Sequence, residues 1–429
     1  MPRLPDFPAD CTITFDGRAV PARRGESIAS ALLAAGRPLL ARSAKYHRPR
    51  GPFCLAGSCG SCLVRVDGLP DQRACRTACA DGLSVETQNA LPDAAHDLLG
   101  VIDRAFPHGL DHHHLATWNP LANRAAVAFS RQLAGLGKLP GPERATGPLP
   151  PAPREEAFDA LVVGAGPAGL AAAEALAGAG RRVLLADAEP APGGRLRCRL
   201  ELAGDPPLAW AGEVAAQVAA SGGEVASGTT VLGLWRDGGA PLAALAPASG
   251  ALRLVRPRAI LVCAGGHPQP PGLEDDDRPG VLAGRGVARA LAEHGVVPGH
   301  RAVVLGAGRE PEALAARLAA AGVEVERVEA AEGRVLGRAR VRGLALADGR
   351  RVRCDVLAVA TPPAPATELA RSLGAPVALD PALGAFALQV DARGRTGVPG
   401  LLAAGEVTGA MDAARAAEAG RRAGEAARG

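Results

Sequence analysis

The fold of the N-terminal region is decided by the stretch Pro49-Arg50-Gly51-Pro52-Phe53-Cys54-Leu55-Ala56-Gly57-Ser58-Cys59-Gly60-Ser61-Cys62, which Cys75 completes. The spacing of its cysteines is C-x4-C-x2-C-x12-C. A 2Fe–2S cluster takes four thiolates, and three of them can come from one tight loop. Small residues between the cysteines let backbone amides approach the sulfides, which tunes the reduction potential. The stretch therefore predicts a 2Fe–2S cluster held by Cys54, Cys59, Cys62 and Cys75.

Other uses of these cysteines stay open. Zinc also binds four cysteines, although zinc sites usually repeat C-x2-C twice. A structural disulfide pair is the other alternative. Cys79, four residues past Cys75, competes for the fourth ligand position but would lengthen the return loop. The triple spacing and its glycine and serine filling favour the cluster with Cys75 as the fourth ligand.

The composition limits the number of domains and the kinds of partner that we expect. The chain has 429 residues, 48% of them hydrophobic, which allows two or three domains with sizeable cores. Aromatic residues make up only 3% and the formal net charge is +4, so neither base stacking nor a polyanionic partner is indicated. Nine cysteines are too few for a disulfide scaffold of this size, and five of them lie between residues 54 and 79. This crowding indicates ligands in a reducing compartment.

The sequence shows neither a signal-peptide core at its N-terminus nor a membrane span. The longest apolar stretch, residues 161–180, contains Glu174 and several glycines, and it is typical of a strand, a turn and a helix. We therefore expect a cytoplasmic protein with no nucleic-acid partner and no membrane span.

Strand and turn signals surround the cysteine loop. Residues 11–16 are strand-like and end in the hairpin turn Asp16-Gly17, and Ser27 can cap a helix that stops at Gly36. Residues 63–66 and 84–87 are further strands, with a turn at Asp67-Gly68. Together these elements resemble the β-grasp ferredoxin domain.

A basic stretch precedes the loop and contains Arg42, Lys45, Arg48 and Arg50. It is either a solvated loop or a positive rim that eases addition of an electron or docks a partner. The sequence does not decide between these readings.

The connector after the cysteine domain ends in a stiff linker. Residues 89–137 carry helical patterns and the run His112-His113-His114, which lacks further ligands at metal-binding spacing. Residues 139–153 contain six prolines and form the clearest domain boundary.

A dinucleotide-binding unit follows the linker. Residues 159–163 form a buried strand that leads into the turn Gly164-Ala165-Gly166-Pro167-Ala168-Gly169. Gly164 makes the tight turn, Gly166 lets the backbone approach a pyrophosphate, and Gly169 lets the helix pack on the strand. The next strand ends at Asp187, where a carboxylate can accept a hydrogen bond from a ribose hydroxyl. Strand, helix, strand and terminal acid together predict a bound dinucleotide.

A second unit has the same order but a compromised turn. A buried strand ends in Gly265 and Gly266, and residues 301–305 then lead into Gly306-Ala307-Gly308-Arg309-Glu310-Pro311. Pro311 removes an amide and adds bulk where the third glycine would lie. The pattern favours a structural Rossmann domain over a working NAD site.

Several of these marks together resemble a known family. They are Lys45-Tyr46-His47-Arg48-Pro49-Arg50-Gly51, Gln88-Asn89, the paired Rossmann units and Arg278-Pro279-Gly280-Val281. The set resembles the N-terminal half of the α subunit of heterotetrameric sarcosine oxidase, over most of residues 12–425. Residues 154–425 also resemble the flavoprotein subunits of octopine and nopaline oxidases and of bacterial hydrogen cyanide synthase.

The resemblance assigns further residues to the flavin. Gly194 and Arg195 match the loop that covers the flavin side of FAD enzymes, and Glu406, after Gly405, would lie beside the ribityl chain. Cys198 stands alone after that loop, so a dithiol mechanism is not indicated. The expected cofactor-binding residues are Gly164, Gly166, Gly169, Asp187, Gly194, Arg195, Gly265, Gly405 and Glu406.

The fold class implied is α/β, with an N-terminal β-grasp 2Fe–2S domain followed by a two-dinucleotide-binding flavoprotein fold. The expected segments are residues 1–95 for the cluster, 96–153 for the connector, 154–274 and 371–429 for FAD, and 275–370 for an NAD-like Rossmann domain.

The resemblance implies an electron-transfer subunit that carries FAD and a 2Fe–2S cluster in an amino-acid or secondary-amine dehydrogenase or oxidase. Its partner would be a second flavoprotein subunit that oxidises the C–N bond, and no catalytic residue is assigned here. The chain ends at Gly429, so we expect no folate-binding domain, and the opine-type C-terminal cysteine cluster is absent. The substrate class is therefore not carried over.

Three alternatives remain. In the first, the chain is a self-contained NAD(P)H-dependent reductase. In the second, it is a non-catalytic electron-transfer module. In the third, the first site holds NAD and no flavin is bound. Occupancy of the second Rossmann unit by NAD or another nucleotide is left open.

Overall fold

The computed structural model describes residues 3–44, 46–101, 103, 119–133, 151–248, 250–329 and 332–428. Contacts divide the chain into two compact units, each assembled from two segments of the sequence. One unit joins Met1–Gly147 with Pro270–Thr361, and the other joins Pro148–Gln269 with Pro362–Gly429. The structure thus groups the cysteine domain with the second Rossmann domain, and the five sequence-based segments stay a prediction.

The bounds of the elements follow the chain. The N-terminal region has the strands β1 (Cys11–Phe15), β2 (Arg18–Ala22), β3 (Ala41–Arg42), β4 (Pro49–Arg50), β5 (Leu63–Val66), β6 (Leu69–Arg73) and β7 (Ser84–Glu86) and the helices α1 (Ile28–Ala34) and α2 (Pro120–Leu133). The next stretch has β8 (Arg154–Val163), α3 (Pro167–Gly178), β9 (Val183–Asp187), α4 (Leu208–Ala220), β10 (Glu224–Ser227), β11 (Thr229–Asp237), β12 (Ala240–Pro247), β13 (Arg253–Val262) and β14 (Gly266–His267).

The second Rossmann domain and the C-terminal stretch complete the fold. The former has β15 (Val281–Ala283), α5 (Gly284–His294), β16 (Arg301–Leu305), α6 (Arg309–Ala320), β17 (Glu324–Val328), β18 (Gly333–Gly337), β19 (Val341–Leu346), β20 (Arg351–Val352) and β21 (Val356–Val359). The latter has β22 (Ala364–Pro365), α7 (Glu368–Ser372), β23 (Val377–Asp380), β24 (Ala385–Leu388), β25 (Leu401–Ala403) and α8 (Ala413–Ala426).

The N-terminal sheet has the order β2-β1-β7-β5-β6, with β1 and β7 parallel and the other pairs antiparallel. Both predicted hairpin turns have positive φ at their two central residues, Asp16-Gly17 and Asp67-Gly68. That backbone geometry matches the twist of the flanking strands. Helix α1 is fully buried and capped by Ser27, whose hydroxyl accepts a hydrogen bond from the backbone of Ser30 at 3.1 Å. The β-grasp prediction is confirmed.

The other unit is built on a sheet of order β10-β9-β8-β13-β12-β11, with β25 beside β13. The strands β10, β9, β8, β13 and β25 pair in parallel, and apolar residues cover both faces of their central part. Helix α8 packs on α3 with almost no space between backbones. A Cβ on Gly420 would lie 1.9 Å from the carbonyl oxygen of Ala168.

The second Rossmann domain has its own parallel sheet of order β15-β21-β16-β17, beside an antiparallel sheet β18-β19-β20. Buried valines and leucines from both sheets share one core. The expected α/β fold, with a β-grasp domain followed by paired Rossmann units, is confirmed.

Candidate metal and cofactor sites

The hairpin β5–β6 explains why Cys75 meets the cysteine loop. Cys62 precedes β5 and Cys75 follows β6, and the register pairs Leu63 with Arg73. The backbone amide of Ala74 donates to the carbonyl oxygen of Cys62 at 3.0 Å. Two positions at the open end of an antiparallel pair are direct neighbours. The hairpin therefore brings Cys75 close to Cys62 although twelve residues separate them in the sequence.

The four thiols predicted as ligands form one connected group. The thiols of Cys59 and Cys75 lie within hydrogen-bonding reach of the Cys54 sulfur, and the Cys75 thiol also lies within reach of Cys62. These hydrogen bonds hold the pKa of Cys54 and of Cys62 below the usual thiol value and raise the pKa of Cys59 and Cys75. Cys54 and Cys62 therefore have the more thiolate character, and the thiolate is the form in which sulfur binds metal.

Backbone amides and burial complete this group. The amides of Ala56 and Ser61 donate to the sulfurs of Cys54 and Cys59, each at 3.4 Å. Cys54 and Cys62 are buried, as is Cys75, whereas Cys59 is exposed. The site therefore has one edge that faces solvent.

All nine cysteines are free, so none forms a disulfide. Within the part of the chain that the structure describes, no three His, Cys, Asp or Glu side chains are placed to hold a single metal ion. A 2Fe–2S cluster does not need that arrangement, since its four protein ligands are shared between two irons.

Cys79 lies in a different environment. Its amide donates to the carbonyl oxygen of Glu26 at 2.7 Å, and burial raises the pKa of its thiol to about 12. The nearby charges are those of Glu26 and Arg3, which form an ion pair of 2.7 Å. Cys79 is therefore a buried neutral thiol of the domain core.

The basic stretch is tied down by internal contacts. Arg42 donates to the carbonyl oxygens of Ala94 and His47 at 2.8 and 3.0 Å, and burial lowers the pKa of its guanidinium. Arg48 pairs with Asp103 at 3.0 Å, and Arg50 pairs with Asp277 at 2.9 Å.

These three arginines thus support the fold around the cysteine loop. Lys45 and the run His112-His113-His114 lie outside the described residues.

Sequence reasoning missed the acidic partners in this region. His47 is buried with a φ of +54°, and its Nδ1 lies 2.9 Å from the carboxylate of Asp97, whose side chain is also buried. Asp277 and Asp97 each lie 50 or more positions away from the residue they contact. A local pattern does not contain such pairs, although the family mark around His47 pointed to the right stretch.

The first glycine turn joins β8 to α3 and leaves room for a ligand. Gly164 has a φ of +101°, and a Cβ on Gly169 would lie only 1.7 Å from the Gly164 carbonyl oxygen. At Gly166, by contrast, the nearest atom to an added Cβ is the Cα of Gly194 at 3.9 Å. The carboxylate of Asp187 accepts hydrogen bonds from the turn amide of Ala165 and from Glu189.

The remaining predicted residues close around this turn. Arg195 donates to Glu406 at 3.1 Å and to the carbonyl oxygen of Met411 at 2.6 Å, and both charged side chains are nearly buried. A Cβ on Gly265 would lie 3.9 Å from the Glu406 carboxylate. A Cβ on Gly405 would lie 2.8 Å from the Cβ of Ala168 on α3. The structure thus brings the predicted cofactor residues of this unit to one place.

The cysteines of this unit do not suggest a dithiol. Cys198 is buried, and burial raises the pKa of Cys263 to about 12.

The second glycine turn has a backbone like that of the first but different side chains around it. Gly306 has a φ of +141°, and a Cβ there would lie 2.7 Å from the Ala360 carbonyl oxygen. Pro311 is buried in the first turn of α6, which also carries Glu310 and Glu312. Carboxylates at a helix N-terminus oppose a second negative charge such as a phosphate.

Three protein families match parts of the chain. A 2Fe-2S iron-sulfur cluster binding domain matches residues 9–90, an NAD(P)-binding Rossmann-like domain matches 162–218, and a pyridine nucleotide-disulphide oxidoreductase family matches 311–420. Sarcosine oxidase subunit alpha from Rhizobium meliloti is 32% identical over 347 residues, which cover 75% of this chain and 34% of that subunit. Over three quarters of its length, the chain is therefore similar to part of the sarcosine oxidase alpha subunit.

Two further proteins extend the comparison. Hydrogen cyanide synthase subunit HcnA from Pseudomonas aeruginosa is 42% identical over 81 residues, covering 19% of this chain and 77% of that subunit. The crystal structure of L-proline dehydrogenase from P. horikoshii superposes with a TM-score of 0.75 at 19% identity, over 96% of this chain and 72% of that one. The latter likeness confirms the fold.

The chain spans about a third of the length of the sarcosine oxidase subunits it matches. The matches confirm the predicted resemblance and support 2Fe–2S and FAD as the cofactors of these domains. The relatives are named as subunits. Among the described helices, none is long and apolar enough to cross a membrane.

Proposed function

We propose that this chain is an electron-transfer subunit of a multi-subunit dehydrogenase or oxidase that acts on secondary amines or amino acids. The observation that carries the proposal is the convergence of Cys54, Cys59, Cys62 and Cys75 within a domain of the 2Fe–2S family. The same chain holds a glycine turn with open space at Gly166. One chain therefore offers a site for each of two redox groups.

The four cysteines are the proposed cluster ligands. The paired ends of β5 and β6 bring Cys62 and Cys75 together, and the amides of Ala56 and Ser61 donate to the sulfurs of Cys54 and Cys59. A bound 2Fe–2S cluster supplies one-electron transfer. Because Cys59 is exposed, electrons have a short path between the site and a partner at that edge.

The turn of the other unit is the proposed FAD site. The N-terminus of α3 has no carboxylate in its first turn and faces the space beside Gly166, as a pyrophosphate requires. Asp187 ends β9 next to the turn, where it can accept from a ribose hydroxyl. Arg195 and Glu406 fix each other at the rim of the same site. Bound FAD supplies acceptance of two electrons and their release one at a time.

The proposed partner is a second flavoprotein subunit that removes the hydride from the amine. Sarcosine and L-proline, which name two of the similar proteins, are both secondary amines with a C–H bond next to nitrogen. This shared chemistry supports the substrate class. Electrons would then pass from the partner through the flavin and the cluster to an acceptor.

Cysteine variants test the ligand assignment. In Cys75→Ser, iron and acid-labile sulfide should fall sharply, because the hairpin then no longer places a fourth cluster-binding sulfur beside Cys62. Cys79→Ser is the matched control and should keep normal cluster content, because this thiol lies apart from the group. Normal content in Cys75→Ser together with loss in Cys79→Ser would reverse the assignment.

Stopped-flow spectra test the role of the chain. We expect the isolated chain to show little reduction by sarcosine, proline or opines, and co-expression with the partner subunit to restore amine-dependent reduction of flavin and cluster. Rapid bleaching of the isolated chain by an amine would contradict the proposal, because it would place a substrate site here.

A second candidate function is a self-contained NAD(P)H-dependent reductase. One observation favours it: the space beside Gly308 is open, with no atom within 4 Å of an added Cβ. Rapid flavin reduction by NADH in the isolated chain would support this reading, and its absence would exclude it.

A further inference from the structure

The start of the cysteine loop lies against the second Rossmann domain, inside the same compact unit. The amide of Ala283, at the end of β15, donates to the carbonyl oxygen of Phe53 at 2.9 Å. The Phe53 side chain packs against the core that the two sheets of that domain share. The guanidinium of Arg50 pairs with Asp277 at 2.9 Å, with both side chains about one-third exposed. Three kinds of contact thus fix the residues that lead to Cys54.

Two glycines allow this close approach. A Cβ on Gly286, in the first turn of α5, would lie 2.6 Å from the Cys54 carbonyl oxygen and 3.0 Å from the Cβ of Leu55. A Cβ on Gly51 would lie 2.2 Å from the carbonyl oxygen of Pro38 and 3.1 Å from the Cβ of Pro279, so Gly51 fits between the two domains. Leu55 has a φ of +52°, a conformation that a leucine keeps only when its surroundings impose it.

The same helix is tied to the compromised glycine turn. Arg285, next to Gly286, donates to both carboxylate oxygens of Glu310 in the first turn of α6, at 2.6 and 3.0 Å. A bidentate arginine–carboxylate pair fixes orientation as well as distance. The N-terminal turns of α5 and α6 are thereby joined to each other on the side where a dinucleotide would bind.

We propose that the second Rossmann domain has a function other than nucleotide binding: it is the platform that sets the backbone at Cys54 and thereby shapes the cluster site. Gly286 and Asp277 are its positioning residues. The inference rests on the proposed ligation of a cluster by Cys54 and goes beyond it, because it assigns a role to a domain whose glycine turn carries Pro311 and is followed by two carboxylates in the first turn of α6.

Gly286→Val in the full chain is the first test. The added side chain must displace backbone at Cys54 and Leu55, so we expect loss of most iron and acid-labile sulfide and an unchanged flavin content. Gly212→Val is the matched control, since Gly212 lies within helix α4 and an added Cβ there meets no atom within 4 Å. This control should retain iron, sulfide and flavin. Normal iron and sulfide in Gly286→Val, with an electron paramagnetic resonance spectrum like that of the natural chain, would overturn the proposal.

Asp277→Asn is the second test and decides the matter if Gly286→Val does not fold. The substitution keeps the shape of the side chain and removes the charge that pairs with Arg50. We expect a cluster with a shifted midpoint potential or shifted g-values, beside an unchanged flavin spectrum. An unshifted potential and spectrum in this variant would count against the platform. A natural chain without any cluster would instead refute the ligand assignment, so the two failures are distinguishable.

Discussion

The two glycine turns of this chain share a backbone plan and differ in what surrounds them. In each turn the first glycine donates its amide to the end of the neighbouring strand, Gly164 to Ala186 at 2.8 Å and Gly306 to Val328 at 2.9 Å. The glycine turn at Gly164 leads into helix α3, which has no acidic residue in its first helical turn. The glycine turn at Gly306 leads into helix α6, which has Glu310 and Glu312 in its first helical turn. The comparison teaches that the same turn can build the same fold while the next few side chains change the charge that a ligand would meet.

The third position of the motif shows the same contrast. Gly169 has no room for a side chain, because helix α3 lies directly on the turn. Pro311 occupies the corresponding place in the second turn and is buried there with its ring 3.1 Å from the position of a Cβ on Gly306. An added Cβ meets no atom closer than 3.9 Å at Gly166 and none within 4 Å at Gly308, so the two turns differ in the residue at the third position and in the charge of the following helix turn, rather than in the space at the second glycine.

The largest effect should come from adding one methyl group at the third position. In Gly169→Ala the new Cβ overlaps the Gly164 carbonyl, so we expect a destabilisation of about 3 kcal/mol and loss of flavin. Pro311→Ala should cost only about 1 kcal/mol, chiefly through a freer unfolded chain. Denaturant unfolding followed by tryptophan fluorescence would compare the two variants. Equal destabilisation would break the contrast between the turns.

A valine at the second position should separate binding from folding. Gly166 has an ordinary φ of −76° and open space, so Gly166→Val should fold normally and yet release the flavin, since the side chain fills the place of the pyrophosphate. Gly178→Val, at the other end of α3 and also in open space, is the control and should keep its flavin. Flavin released by acid and measured by absorbance gives the result. Retention of FAD by Gly166→Val would remove the first turn from the site.

Replacing Asp187, at the end of β9, or Glu329, next after β17, should have a smaller effect, and the two effects on FAD affinity should differ. Asp187→Asn removes the charge of a hydrogen bond worth about 1.5–3 kcal/mol, which corresponds to roughly tenfold or more in FAD affinity. Glu329, which follows β17 and is exposed, should be replaceable by Gln with no change in flavin binding. Titration of the apoprotein with FAD by flavin fluorescence would measure both. An equal loss in the two variants would mean that neither acid contacts the cofactor.

The smallest change is expected from restoring a glycine in the second turn. Pro311→Gly should lower stability by about 1 kcal/mol and gain no reduction by NADH, because Glu310 and Glu312 stay in the first turn of α6. Stopped-flow absorbance with excess NADH provides the test. Fast flavin bleaching in this variant alone would show that the proline by itself closes the site.

Much of this contrast could be predicted from the sequence, because it depends on local spacing. The glycine turns, their strands and the hairpin that returns Cys75 all follow from residues within about 20 positions of each other. Strand β13 was predicted only in its apolar part. Its first half contains Arg253 and Arg256, which form ion pairs, such as that of Arg253 with Glu156 at 2.7 Å.

Distant pairs could not be predicted in the same way. The contact of Gly286 with Cys54 joins residues more than 200 positions apart, and only the packing of α5 on the cysteine loop creates it. The family motif Arg278-Pro279-Gly280-Val281 lies close to this contact, but the motif alone did not indicate that it packs near the cysteine loop. Likewise, the basic stretch did not reveal its acidic partners Asp103 and Asp277, which lie far away in the sequence.

Cofactor analysis of the purified natural chain tests the central claim most directly. The account predicts FAD in the acid extract, with iron and acid-labile sulfide in equal amounts and a visible spectrum in which both groups bleach on reduction with dithionite. Reduced samples should give the electron paramagnetic resonance signal of a 2Fe–2S cluster. Zinc in place of iron, or NAD in place of FAD, would contradict the account.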